Sequence, residues 1–271
     1  MQRNRKEIMV ERKSLKVEDY KASYLRAGTE VKEGGRVWLL LHGLAGSANN
    51  WSGFLSYAEK YFPDQAFLAL DLLGHGESDS PEVRYSISAE TDFVISFLRT
   101  LKVNRVSLMG NSMGGWISME VSKRFPTDSL VLVDTGGMPG SRPRGLQPKT
   151  TSEAKRLLSR IFCDAAWYSD EIAEKLVKSR SGCLGRVVEA LLKSEEVPLS
   201  WGQIASIDKP TLIVWGSCDR LIPLSRGRAL SKAIRGSTMI TIEGLGHEPM
   251  LEDPLKFVRA VGGWIVTSRD V

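Results

Sequence analysis

A serine hydroxyl becomes a useful nucleophile only when a base takes its proton. Ser112 lies in Gly110-Asn111-Ser112-Met113-Gly114-Gly115, a G-x-S-x-G pattern. An apolar, strand-like run (105–109) precedes it and a helix-like segment (113–125) follows. That context sets the serine on a sharp strand-to-helix turn, with its side chain projecting from the end of a sheet. The helix behind it offers unpaired N–H groups and a partial positive charge to a developing oxyanion.

The base follows by elimination, because the chain has three histidines. His42 and His75 precede the serine; His247 follows it in Gly246-His247-Glu248, just after the last apolar run (238–242). Loops at strand C-termini are where such sheets hold ligands and chemistry. The base needs an orienting carboxylate. Asp219, past the end of the run at 211–215, supplies one; Asp134, at the end of the run at 130–134, is a rival acid. With Asp219 the chain order is Ser, Asp, His. A second oxyanion donor belongs on the loop after an early strand, and His42-Gly43-Leu44 occupies that place after the run at 37–41. The N–H groups of Leu44 and Met113 are the expected pair. His42 and Gly43 are expected beside the substrate pocket, His42 mainly as an organiser of its loop. Trp167 and Tyr168, further along, are expected to line that pocket. Asp71, His75 and Ser78 are expected to knit a polar turn. Trp116 and Met119, on the helix after Ser112, are expected in the core.

These residues need a scaffold, and the hydrophobic pattern describes one. The first ~30 residues alternate loosely, as edge antiparallel strands do. From Arg36 onward, apolar runs at 37–41, 66–70, 105–109, 130–134, 211–215 and 238–242 alternate with helical segments at 51–61, 86–101, 113–125, 224–234 and 254–266. Continuous apolar runs mark strands covered on both faces, as in a parallel sheet. The alternation predicts an α/β fold with a mostly parallel sheet flanked by helices. Between Asp134 and Thr211 no strand is evident, and helical periodicity appears at 154–162, 170–179 and 184–193. The expected organisation is a core over 1–135 and 209–271, with a helical cap at 136–208 inserted after the sixth strand.

Composition excludes several classes. Hydrophobic residues are 42% and charged residues 25% of 271, so the chain is neither disordered nor a coiled coil. Residues 1–16 hold six Lys or Arg against two Glu, and this +4 leaves only +1 of the net +5 elsewhere. That is a charged terminal strand and not the basic stripe of a nucleic-acid binder. Apolar runs fall short of the ~20 residues a membrane span needs, and the N-terminus lacks the apolar core of a secretory signal. Cys163, Cys183 and Cys218 have no zinc spacing; reduced thiols in a cytoplasm are the simplest expectation.

Taken together, the chain resembles α/β-hydrolase fold proteins with a helical cap, over roughly residues 15–268. The resemblance rests on His42-Gly43, on Asp71-Leu72-Leu73-Gly74-His75-Gly76-Glu77-Ser78, on 110–115, on 215–223 and on Gly246-His247. It implies Ser112, Asp219 and His247 as the triad, Leu44 and Met113 as oxyanion donors, and neither cofactor nor metal. A serine at 112 disfavours the haloalkane dehalogenases and epoxide hydrolases, which use aspartate there. Gly-Asn-Ser-Met-Gly-Gly is similar to the elbow of meta-cleavage-product hydrolases, which break carbon–carbon bonds. Those enzymes carry Gly-Pro-Gly after the oxyanion His-Gly and a tryptophan after the catalytic histidine. This chain has Leu44-Ala45-Gly46 and Glu248 instead. The expectation is a carboxylesterase-like serine hydrolase with a small-molecule acyl substrate. Carbon–carbon bond hydrolysis is the alternative, and a ligand-binding protein on the same scaffold a more remote one.

Overall fold

The computed structural model describes residues 10–140, 145–179, 182–194 and 196–267. Three of the six basic N-terminal residues counted above (Arg3, Arg5 and Lys6) and part of the Pro/Arg-rich stretch after Gly140 lie outside these residues.

Eight strands form one sheet: β1 (Glu11–Val17), β2 (Tyr20–Gly28), β3 (Arg36–Leu41), β4 (Ala66–Leu70), β5 (Arg105–Asn111), β6 (Thr127–Val133), β7 (Thr211–Gly216) and β8 (Thr238–Ile242). Their order is β1-β2-β4-β3-β5-β6-β7-β8. β1 pairs antiparallel with β2, and β2 antiparallel with β4; every other pairing is parallel. This is the mostly parallel α/β sheet expected, with the two N-terminal strands at one edge. Helices α1 (Ser52–Tyr61), α2 (Ile87–Thr100) and α3 (Met113–Ser122) connect strands in the first half. The insertion after β6 contains α4 (Thr151–Ile161), α5 (Asp170–Ser179), α6 (Cys183–Lys193) and α7 (Trp201–Ala205). α8 (Leu224–Ala233), α9 (Pro249–Glu252) and α10 (Pro254–Thr267) complete the chain. The short α7 and α9 are too brief to leave a helical period in the sequence. α3 stops at Ser122, three residues short of the expected end, because Pro126 disfavours helix in the residue before it.

The pleat divides each central strand between two cores. Leu39, Leu41, Leu68, Leu70, Leu108, Leu130 and Ile213 face one side, with Phe93, Phe97, Ile117 and Leu230 from α2, α3 and α8. Trp38, Leu40, Phe67, Met109, Val131 and Val214 face the other, with Phe54, Leu55, Phe257 and Val261 from α1 and α10. Both faces are covered, which is why the strands read as unbroken apolar runs. Side-chain caps fix where helices begin. Ser86 accepts the Ala89 N–H at 3.1 Å and Thr150 the Glu153 N–H at 3.2 Å. Each such cap contributes about 1 kcal/mol.

Register decides what meets at the sheet's C-terminal edge. Leu41 pairs with Gly110, Asn111 with Val133, and Val133 with Val214. His42, Ser112 and Asp134 therefore leave the sheet side by side.

Candidate active site

Ser112 sits between β5 and α3 with φ 52° and ψ −114°, a backbone conformation that L-residues seldom adopt. Such strain costs on the order of 1–3 kcal/mol and persists only where the surroundings enforce it. Here they do. The Ser112 N–H donates to the Val133 carbonyl (3.0 Å), and its carbonyl accepts from the Gly115 and Gly136 N–H groups (3.1 and 2.9 Å). A Cβ on Gly114 would lie 2.3 Å from the Leu41 carbonyl oxygen, so only glycine lets α3 pack this closely against the end of β3. α3 begins at Met113, whose N–H has no acceptor within the helix. The loop after β3 reaches the same point: a Cβ on Gly43 would stand 3.2 Å from the Ser112 Cβ. The backbone around Leu44 thus borders Ser112, and Leu44 and Met113 both line the cavity that Ser112 opens into.

His247 Nδ1 lies 2.7 Å from Asp219 Oδ2. The other Asp219 oxygen accepts the N–H groups of Leu221 (2.8 Å) and Ile222 (2.9 Å). Burial alone would lower the imidazole's pKa, but the charge and hydrogen bond of Asp219 outweigh it and hold His247 above its ordinary value. Its Nε2 is buried and meets no partner among the described residues, which leaves it available as a proton acceptor. The two loops are joined through Cys218 N–H to Leu245 O (2.9 Å) and Ser217 N–H to Ile242 O (3.1 Å). Asn111, the residue before the serine, donates from Nδ2 to the His247 carbonyl at 2.8 Å. It thereby ties the histidine loop to the elbow. Nothing in its local sequence signals that role, because its partner is 136 residues away.

The insertion reaches this site too. His247 N–H donates to the Ile161 carbonyl at the end of α4 (2.6 Å), and Arg220 N–H to the Arg160 carbonyl (3.0 Å). Cys163 and Cys218 are joined by a disulfide spanning 55 residues, with Cα atoms 5.5 Å apart. This corrects the expectation of three reduced thiols: only Cys183 is free. The spacing of the cysteines carries no sign of the bridge, which depends on α4 ending against the acid loop.

The polar turn expected at Asp71, His75 and Ser78 forms beside the loop after β3: Ser78 Oγ donates to the Asp71 carbonyl (2.7 Å) and the Ser78 N–H to the His75 carbonyl (3.1 Å). Asp71 is fully buried and accepts from Ala48 N–H (2.7 Å), Glu77 N–H (3.1 Å) and Arg12 (2.7 Å). His42 is also fully buried, with Nδ1 2.8 Å from the Gly43 carbonyl and Nε2 accepting the Leu72 N–H at 3.1 Å. Burial lowers its pKa, so it is a neutral strut.

A cavity of about 1010 Å³ opens at Ser112. Its walls include Leu44, Ile87, Met113, Trp116, Leu191 and Ile222. His42, Gly43, Trp167 and Tyr168, expected at the pocket, are not among the lining residues. Gly43 lies beside Ser112, and His42 is buried against the Leu72 N–H. Trp167 stacks on Phe162 (ring centroids 4.8 Å apart) and, with Tyr168, packs against the small core of α4 and α5. Their aromatic rings call for burial, but the local sequence does not say against which neighbour. Trp116, expected in the core, reaches both the core and the cavity wall; Met119 is fully buried. Glu196 bridges the insertion to α2, accepting the N–H groups of Ile87 and Ser88 (2.7 Å for Ser88) at that helix's N-terminus.

Asp134, Asp219 and His247 form the one cluster of potential metal ligands among the described residues. Its Nδ1 and Asp219 oxygens are already committed to one another and to backbone donors. No helix among the described residues is long and apolar enough to cross a membrane.

An elbow serine, an acid–imidazole pair on the next loops and a helical insertion after β6 are what an α/β-hydrolase fold presents, and comparison with known proteins agrees. The model of the alpha/beta hydrolase family matches residues 38–261, and the chain belongs to that family. It is similar to an uncharacterised protein of Mycobacterium tuberculosis, 28% identical over 289 residues that cover 93% of this chain and 80% of that one. It is also similar to the 2-hydroxy-6-oxo-2,4-heptadienoate hydrolase of Pseudomonas putida, 26% identical over 251 residues, covering 85% and 89%. Among solved structures it resembles a bacterial membrane phospholipase A, with a TM-score of 0.82 and 25% identity over 97% of this chain and 87% of that one.

Proposed function

We propose that this hydrolase cleaves carboxylic esters of apolar acyl groups through an acyl-enzyme on Ser112. The observation that carries the reading is the buried His247–Asp219 pair, 2.7 Å apart, beside a strained serine that opens into a large, mostly apolar cavity. Ser112 Oγ attacks the ester carbonyl while His247 Nε2 takes its proton. Asp219 holds Nδ1–H and stabilises the imidazolium. The N–H groups of Leu44 and Met113 receive the oxyanion. His247 then gives its proton to the departing alcohol, and next takes one from the water that releases the acid. No metal or cofactor enters these steps. The insertion serves as the cap that walls the acyl site.

Carbon–carbon bond hydrolysis of a dienoate is the second reading, favoured by the elbow string and by the Pseudomonas putida relative. The cavity chemistry speaks for the ester. Leu44, Ile87, Met113, Trp116, Leu191 and Ile222 give the site mostly apolar walls, which suit an apolar acyl group. The test is hydrolysis of p-nitrophenyl esters from acetate to dodecanoate by wild type and Ser112→Ala. The substitution is expected to lower kcat by at least ~10³-fold with the fold intact. Equal turnover by both proteins would overturn the assignment.

A further inference from the structure

Asp134, the rival acid, is not a spare. Its carboxyl is completely buried at the end of β6, where the backbone takes φ 43°. Its N–H donates to the Val214 carbonyl and its Oδ1 accepts the Gly216 N–H, both at 2.9 Å, so the side chain is pinned between β6 and β7. Its Oδ2 is buried and meets no donor among the described residues. One ligand atom each of Asp134, Asp219 and His247 lie within 4.8 Å of one another.

Two carboxylates this close in a dry site cannot both remain ionised. The proton goes where the anion is less well served. Asp219 has three donors: two backbone N–H groups and the imidazole. Asp134 has one. We infer that Asp134 is a neutral carboxylic acid whose Oδ2–H donates a hydrogen bond to the Asp219 carboxylate, making it a positioning residue for the catalytic acid. The proton satisfies the otherwise unpartnered Oδ2 and fixes the rotamer of Asp219. It also spares His247 a second anion that would over-stabilise the imidazolium. Burial, and then the charge of Asp219, push the Asp134 carboxyl well above its ordinary range, in keeping with this. The charged or titratable groups facing the cluster are Asp219, His247 and Glu252, with Glu248 and Arg160 acting on the imidazole. The inference rests on the serine-hydrolase reading for the importance of Asp219, but the location of the proton does not.

Asp134→Asn tests it. Asparagine tolerates positive φ, keeps an oxygen for the Gly216 N–H and offers an amide donor to Asp219. The first readout is the titration of the His247 imidazole by NMR, assigned against His247→Gln. If Asp134 is neutral, its midpoint moves by less than ~0.3 units in Asp134→Asn. If it is ionised, removing a charge this near lowers the midpoint by more than about one unit, which overturns the inference. The second readout is infrared difference spectroscopy at neutral pH. Wild type minus Asp134→Asn should show the carbonyl stretch of a protonated carboxylic acid; carboxylate bands alone would overturn it. In kinetics, Asp134→Ala is expected to lower kcat at least ~10-fold with KM little changed, and Asp134→Asn to recover most of that loss. Inactivity of wild type on every ester would count against the proposed function and leave both spectroscopic readouts standing.

Discussion

Replacing Glu90 by glutamine isolates the cost of one buried carboxyl. Glu90 lies in the first turn of α2 and is 1% exposed. Its Oε2 accepts the Leu73 N–H at 3.1 Å, and its Oε1 meets no donor among the described residues. Burial pushes the carboxyl from 4.5 up to about 8, and the Leu73 N–H offsets this only in part. Between those two values the folded protein keeps a proton that the unfolded chain has released. Stability therefore falls as pH rises through this window, by about 1.36 kcal/mol per unit. At pH 7 the accumulated cost is about 3 kcal/mol, and it levels off near pH 8 at about 5 kcal/mol. Glu90→Gln is neutral throughout and keeps an oxygen for the Leu73 N–H. Its stability relative to wild type should be near zero below pH ~4.5 and reach about +3 kcal/mol at pH ~7. Urea unfolding from pH ~4.5 to ~8, with m-values compared, reads this directly. A difference that stays constant with pH would refute the buried neutral carboxyl.

Other outcomes follow from the same geometry. Because Asp219 holds His247 above its ordinary pKa of 6.5 and the base must be neutral to act, the acid limb of the kcat/KM profile should have its midpoint above 6.5; a midpoint below it would contradict the pairing. Trp116 forms part of the cavity wall, so Trp116→Ala should move the optimal acyl chain of the p-nitrophenyl series to greater length, and an unchanged optimum would place the acyl group elsewhere. The Cys163–Cys218 bridge closes a 55-residue separation, for which chain entropy allows up to about 4 kcal/mol. Cys163→Ser should lower stability by a few kcal/mol in non-reducing denaturation, and a Tm equal to wild type would show that the bridge contributes nothing.

Local pattern along the chain was enough to specify the architecture and the chemical groups. The apolar runs placed β3 to β7 because strands covered on both faces are mostly apolar, and a less apolar run marked β8 at the edge, where only Ile242 is buried. G-x-S-x-G marked Ser112 because a strained turn needs glycine within a few residues of it. The scarcity of histidine and the order of the loops pointed to His247. Each of these is a local requirement, and local requirements leave local marks. Encounters between distant segments leave no such marks and come from the folding of the whole chain. Asn111 holds the histidine loop across 136 residues, α4 ends against that loop, and Cys163 meets Cys218 across 55. Trp116 reaches the cavity while Trp167 turns into the core of the insertion. The two acids show the difference most clearly. Sequence offered Asp134 and Asp219 as rivals for one role. Sheet register and loop packing gave Asp219 to the imidazole and fixed Asp134 beside it on the Gly216 N–H. The choice depends on which donors surround each carboxylate, and those donors come from backbone far away along the chain.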